Sequence, residues 1–258
     1  MSDGNQDQIW IKWEHIRDRL AESQPVPPLD PTPPGFRLVD VEENKVIQAP
    51  RTPFTYICLS YVWGNLGEND VLATMVNICD LEKTDSLSGS VPATIRDAMT
   101  ACRRLGQRYP WVDRLCILQD DDSPYGEKQV QIESMDEIHN HALATFIAIT
   151  ATNADSGLHG VSKPLETSGA DWGRGFTRMY PWTSSEWKSR GWTYQEAIVS
   201  RRLIYFDNYD TVIEDKREDN SYWPRLQIPN SHGDYHHFDD YEQAVSDCIH
   251  IPNSGFPE

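Results

Sequence analysis

Apolar positions along the chain form short continuous runs separated by helical stripes, which predicts that strands and helices alternate. The continuous runs lie at 56–63, 111–117, 144–149 and 203–206. Runs of this length are typical of parallel strands buried on both faces. Between the first and second runs, residues 90–106 place an apolar stripe on one helix face, made of Ile95, Ala98, Met99, Cys102 and Leu105. Between the second and third, residues 127–142 do the same with Ile132, Met135, Ile138 and Ala142. The pattern predicts an α/β fold with a parallel sheet wrapped by helices.

The ends of the chain follow other patterns. Ile9, Trp13, Ile16 and Leu20 have helical spacing and predict an N-terminal helix, and the six prolines of 25–34 favour an extended tether. Residues 36–41 and 45–47 predict a short hairpin, and the glycine-rich stretch 152–186 predicts a long loop, typical of lids and binding elements. The predicted organisation is a helix and tether at 1–34, a main domain at 35–214 and a C-terminal extension at 215–258.

Composition narrows the possible partners. The chain has 258 residues, a net charge of −17 and no basic stripe, which argues against nucleic acid as a partner. It contains neither an apolar signal core nor a run long enough to cross a bilayer, so we expect a cytoplasmic protein without membrane contact. Five cysteines without CxxC spacing predict reduced thiols.

The first predicted strand ends in residues suited to binding a nucleotide. Ligands of open α/β sheets collect beyond the carboxyl ends of the strands. Ser60, Tyr61, Trp63 and Gly64 lie there on the first strand, and Gln119 follows the second. A hydroxyl, an aromatic face and a glycine turn suit a nucleotide, whereas the competing interpretation is an ordinary turn with a core tryptophan.

Two acidic residues occupy positions where acids are unusual. Asp113 falls inside the second apolar run and needs hydrogen-bond partners, for which Ser60 and Arg190 are candidates; structural pairing competes with a role in chemistry. Glu196 shares a predicted helical face with Trp192 and is the leading candidate for chemistry. Its competing interpretation is an ion pair with Arg190 or Arg201, or a helix-end contact.

Histidine and cysteine patterns argue against a metal- or cysteine-dependent hydrolase. His139 and His141 are two residues apart and so lie on different helix faces, and the sequence predicts no metal site. Cys116 would act as a nucleophile only with a histidine beside it, and an inert buried thiol is the competing interpretation.

Taken in order, these segments resemble the fungal heterokaryon-incompatibility (HET) domain. The matching blocks are Leu59-Ser60-Tyr61-Val62-Trp63-Gly64, Pro92 to Ala98, Trp111 to Asp121, Met135 with Ile138 and Ala142, Gly157-Leu158, and Arg190-Gly191-Trp192-Thr193-Tyr194-Gln195-Glu196. His139 departs from the tyrosine common in that family. HET domains in turn look remotely similar to Toll/interleukin-receptor (TIR) domains, which implies a flavodoxin-like sheet.

The resemblance implies a cell-death effector of fungal non-self recognition. Because many TIR domains hydrolyse NAD, it also implies an NAD(P)+ glycohydrolase in which Glu196 is catalytic and the nucleotide is the substrate, with no further cofactor. Ser60, Tyr61, Trp63, Gly64, Asp113, Gln119, Arg190 and Trp192 would then bind the nucleotide. Self-association is an expected feature of such a domain. The alternative is a non-enzymatic assembly module that triggers death through partners, and the chain is either a minimal effector or a fragment.

Overall fold

The computed structural model describes the chain in several stretches, namely residues 9–65, 71–89, 91–166, 185–187, 191–216, 227–229 and 235–237. The chain divides into two compact units, Met1–Asp215 and Lys216–Glu258. Among the described residues, no helix has the length and apolar character needed to cross a membrane.

The elements of the first unit follow one another as α1 (Trp13–Glu22), β1 (Arg37–Asp40), β2 (Lys45–Gln48), β3 (Ile57–Ser60), α2 (Ile78–Leu81), α3 (Ala93–Arg104), β4 (Pro110–Trp111), α4 (Asp113–Cys116), α5 (Glu127–Glu133), α6 (Met135–Asn140), β5 (Ala144–Ile147), α7 (Gly191–Val199), β6 (Arg202–Phe206) and β7 (Thr211–Asp215). In the second unit, β8 (Gln227–Pro229) and β9 (Tyr235–His237) pair antiparallel.

The central sheet has the strand order β4-β3-β5-β6-β7. The strands from β4 to β6 are mutually parallel, and β7 pairs antiparallel with β6. All four residues of β3 and of β5 are buried, as continuous apolar runs predict. The fold is therefore α/β, as predicted, and the sheet predicted to be parallel has one antiparallel strand, β7.

Helix α3 shows how the sequence sets its own boundaries. Pro92 occupies the N-cap position, and the chain leaves the last turn at Gly106, whose φ of +70° favours glycine. The predicted stripe of Ile95, Ala98 and Met99 is buried against the core. Both α3 and α7 pack on β3.

The second predicted strand is wrong over most of its length. Only Trp111 of the run 111–117 lies in a strand, and residues Asp113–Cys116 form the short helix α4. The amide of Cys116 donates to the Val112 carbonyl at 2.8 Å, which closes a helical turn. Apolar runs of this length fit a buried helical turn as well as a buried strand.

The single predicted helix at 127–142 is two helices, α5 and α6. They meet at Ser134, whose hydroxyl donates to the Val130 carbonyl at 2.8 Å. Such local side-chain hydrogen bonds compete with helix continuation.

The N-terminal segment follows its predicted pattern in part. The helix begins at Trp13 rather than Ile9, and Ile16 and Leu20 are buried. In the proline-rich segment, Leu29 is buried, and the Pro27 carbonyl lies 3.1 Å from Nδ1 of His141. The segment therefore lies against the main unit.

Candidate functional site

Ser60 ends β3 and is connected to helix α7 through a tryptophan. Its hydroxyl is buried and accepts a hydrogen bond from the Trp187 indole nitrogen at 2.9 Å. The Trp187 carbonyl in turn accepts a bond from the hydroxyl of Thr193 on α7. Trp187 therefore ties the carboxyl end of β3 to the helix that carries Glu196. In this structure the Ser60 hydroxyl makes a structural hydrogen bond, and a role for Ser60 in ligand binding stays a prediction.

The turn after β3 is packed against the loop that follows β5. Gly64 has φ of +72°, and a Cβ at this position would lie 2.5 Å from Cβ of Asn153. Such an approach excludes every side chain, so the turn requires glycine. The Ala154 amide donates to the Trp63 carbonyl at 3.1 Å, which holds the two segments together. Tyr61, between Ser60 and this turn, is buried.

Asp113 is paired with the tryptophan of that turn. The Trp63 indole nitrogen donates to both carboxylate oxygens of Asp113, at 3.0 and 3.2 Å. Asp113 also accepts the Arg114 amide at 2.7 Å, and the Arg114 guanidinium lies 5.6 Å from the Trp63 ring centroid. Asp113 begins α4 instead of lying inside a strand, and Trp63 and the Arg114 amide are among its hydrogen-bond partners. The carboxylate orients Trp63 at the carboxyl end of the sheet.

Gln119 closes the segment after α4. Its side-chain amide donates to the carbonyls of Asp113 and Ile117, both at 3.0 Å. The backbone carbonyl of Gln119 accepts a hydrogen bond from the Lys128 ammonium at 2.7 Å. Gln119 therefore lies near Asp113 and fixes the path of the chain there, and its role in binding a nucleotide stays a prediction.

Helix α3 fastens the loop that follows β5. The Gly157 amide donates to the Thr94 hydroxyl at 3.0 Å, and the Leu158 amide donates to the Asp97 carboxylate at 2.7 Å. The hydroxyl of Ser162 donates to the same carboxylate oxygen at 2.5 Å. Sequence reasoning did not select Thr94 or Asp97. Their signal was an i, i+3 pair of polar residues on a helix whose other inward residues are apolar.

Glu196 lies at the sixth of the nine residues of α7 and is half-buried. Burial raises the pKa of the Cys58 thiol on β3, and the negative charge of Glu196 adds to that rise. The helix that carries Glu196 packs on the central strand β3. Arg201, one of the suggested ion-pair partners, donates from Nε to Asn140 at 2.9 Å.

Two predicted binding residues fall outside what the structure describes. Arg190 is outside the described residues, and Trp192 belongs to α7 without a described side chain. Trp187, which sequence reasoning missed, lies five residues before Trp192 in a stretch that has no periodic pattern.

Cys116 is a core thiol. It is buried, and its sulfur accepts a bond from the Val112 amide at 3.3 Å. Burial raises the pKa of this thiol to about 12, so it is not a thiolate near neutral pH. This environment favours the inert interpretation of Cys116.

Comparison with known proteins gives one family. The profile described as "Heterokaryon incompatibility protein (HET)" matches residues 56–196, which is more than half of the chain. The chain is also 25% identical, over 177 residues, to "Vegetative incompatibility protein HET-E-1" of Podospora anserina. That match covers 69% of this chain and 11% of the relative, so the chain spans about a tenth of the length of that relative. No solved structure matches.

Proposed function

Because the chain belongs to the heterokaryon incompatibility family, we propose that it is a fungal cell-death effector that cleaves the nicotinamide–ribose bond of NAD(P)+. The incompatibility role is supported by the family match and by the relative, whose name describes vegetative incompatibility. The enzymatic step rests on the resemblance to TIR domains and on the surroundings of Glu196. The three buried free thiols among the described cysteines are compatible with a cytoplasmic place of action.

Sheet topology supports the TIR-like interpretation. Counted within the sheet, the order β4-β3-β5-β6-β7 is 2-1-3-4-5, which is the order of flavodoxin-like doubly wound sheets. In that topology the ligand crevice opens where the strand order reverses, beyond the carboxyl ends of β3 and β5. The antiparallel β7 is the departure from the flavodoxin-like pattern.

The observation that carries the proposal is a half-buried acid on α7, a helix that packs on β3. Cleavage of an N-glycosidic bond develops positive charge on the ribose, and a carboxylate beside the sugar stabilises that charge. Glu196 takes this role. Trp63, held by Asp113, offers a flat surface for a ring, and Arg190 would neutralise the diphosphate.

Release of nicotinamide from NAD+ and NADP+ by the purified full chain tests this function. Glu196→Gln keeps the size of the side chain and removes its charge, so we expect release to fall by about 100-fold or more. Glu133→Gln, on the exposed side of α5, is the matched control and should release nicotinamide like the wild type. The assay spans protein concentration because self-association is part of the proposal. Equal release from the wild type and Glu196→Gln would contradict it.

A second candidate is a non-enzymatic module that assembles through an exposed surface. Val76 and Tyr125 are 89% and 95% exposed. The Met75 amide donates to Asp120 at 2.8 Å, so the neighbouring exposed Val76 lies beside the acidic turn at 120–122. A double variant, Val76→Ser with Asp122→Lys, tests it in cells. If killing is lost in this variant and retained in Glu196→Gln, the assembly module replaces the enzyme.

A further inference from the structure

A chain of three buried side chains ends on the backbone of Glu196. Nδ1 of His139 lies 3.2 Å from the Thr145 hydroxyl, which lies 2.6 Å from the Ser200 hydroxyl. The Ser200 hydroxyl donates to the Glu196 carbonyl at 2.6 Å. His139, Thr145 and Ser200 are each at most 1% exposed. We call these three side chains the hydroxyl chain; they join α6, β5 and the end of α7.

The direction of every hydrogen bond in the hydroxyl chain follows from its last acceptor. A carbonyl oxygen can only accept, so the single proton of Ser200 points to Glu196. The Ser200 oxygen must then accept from Thr145, whose own single proton is thereby used. Thr145 can only accept from His139, so Nδ1 of His139 must carry a proton.

The remaining nitrogen of His139 fits this assignment. Burial lowers the pKa of His139 to about 3, so the ring is neutral and carries one proton at working pH. With that proton on Nδ1, Nε2 is a bare acceptor, and it has no hydrogen-bond partner among the described residues. The ring also meets Trp111 edge to face at 5.6 Å between centroids, which restricts its rotation.

We propose that His139, Thr145 and Ser200 are positioning residues that hold the last turn of α7 so that the Glu196 carboxylate meets the ribose. The proposal rests on the NAD(P)+ cleavage proposed above. The Ser200 amide reaches the Glu196 carbonyl at 3.3 Å, and the hydroxyl chain adds a shorter bond that is fixed to β5 and α6. Small displacements of a catalytic group lower the rate steeply, so this support should act on kcat.

A matched pair of substitutions at His139 tests the direction of the bonds. The side-chain amide of asparagine places its N–H near the position of Nδ1, whereas that of glutamine places it near Nε2. We expect His139→Asn to keep kcat within about threefold and His139→Gln to lower it by about 10-fold to 100-fold, with KM changed little in both. Both variants lose the contact with Trp111, so a general loss of packing would lower kcat equally. Equal loss would overturn the proposal.

A measurement without substrate separates this inference from the proposed activity. In the wild type, nitrogen–proton correlation spectra of the His139 ring should show the proton on Nδ1, and a proton on Nε2 would overturn the hydroxyl chain. Amide exchange at Ser200 should be faster in Thr145→Val than in Thr145→Ser, which keeps a hydroxyl, and equal exchange would count against the proposal. The two Thr145 variants also test the proposal if the His139 variants fail to fold. If the wild type cleaves no NAD(P)+, the activity is wrong, while the Nδ1 proton still tests the hydroxyl chain.

Discussion

The two ends of the central sheet are held by different kinds of interaction. At the amino end of β6, Arg202 donates to Asp215 at 2.7 Å and to the Leu143 carbonyl at 3.2 Å, and both charged side chains are buried. At the carboxyl end, the indole nitrogens of Trp187 and Trp63 donate to Ser60 and Asp113, and Trp63 and Asp113 are half-buried.

This difference separates stability from recognition. A buried charge that loses its partner is strongly destabilising, so the amino end tolerates little change. A half-buried hydrogen bond from an indole contributes less to the free energy of unfolding, and solvent or a ligand can take the place of either partner. The amino end therefore serves as the fixed base of the sheet, and the carboxyl end as the part that can adapt to the proposed nucleotide.

The largest expected effect is at the amino end. Asp215→Ala leaves the Arg202 guanidinium buried without its carboxylate, and we expect a loss of about 3–5 kcal/mol in the free energy of unfolding. Urea denaturation measures it. Asp80→Ala, which removes an exposed pair with Lys83, is the control and should leave the free energy of unfolding close to that of the wild type. A loss below about 1 kcal/mol for Asp215→Ala would show that the base does not depend on this pair.

A smaller effect comes from His139, which contacts Thr145 near the amino end of β5. Its folded pKa of about 3 lies below the usual value of 6.5, so folding favours the neutral ring. The stability that it contributes is present above pH 6.5 and is lost as the pH falls toward 3. We expect about 2 kcal/mol to be lost between pH 6 and 4.5. Urea denaturation of the wild type and of His139→Asn at several pH values separates the contribution of His139 from that of the carboxylates. If the free energy of unfolding depends on pH in the same way in both proteins, this prediction is wrong.

The smallest expected effect on stability is at the carboxyl end. Trp63→Phe removes the indole bond to Asp113, and we expect it to cost about 1 kcal/mol while lowering kcat/KM for NAD+ by about tenfold. Asp113→Asn keeps an acceptor for the indole and should retain more activity than Trp63→Phe. A large loss of stability with unchanged activity would reverse the roles assigned to the two ends.

Sequence patterns predicted those helices and strands that are determined by residues close to them in the chain. β3 and β5 come from apolar runs, and α3 is delimited by Pro92 and Gly106. The strand predicted at 111–117 failed because a buried run does not reveal its backbone conformation, and here residues Asp113–Cys116 form a helical turn. Likewise no periodic pattern marks the break at Ser134, where the hydroxyl donates to the Val130 carbonyl.

The candidate site was predicted only where a motif marked it. Glu196 was selected by its place on a predicted helical face and then by the resemblance, and Trp63 and Gly64 by the position of a turn after a strand. Trp187 bonds to Ser60, and Asp97 accepts a bond from Ser162. In both pairs the partners are more than 60 residues apart in the chain, and no local sequence pattern encodes such a pairing. The tautomer of His139 likewise required the hydrogen-bond partners to be known.

The β1–β2 hairpin has a consequence for how copies of this domain can meet. The amide of Val41, just after β1, donates to the Arg108 carbonyl just before β4 at 3.1 Å, and β1 packs beside β4. The hairpin shields this short outermost strand, so another polypeptide would have to displace it before adding to the sheet on that side. Templated growth of a fibril from this flank is therefore disfavoured.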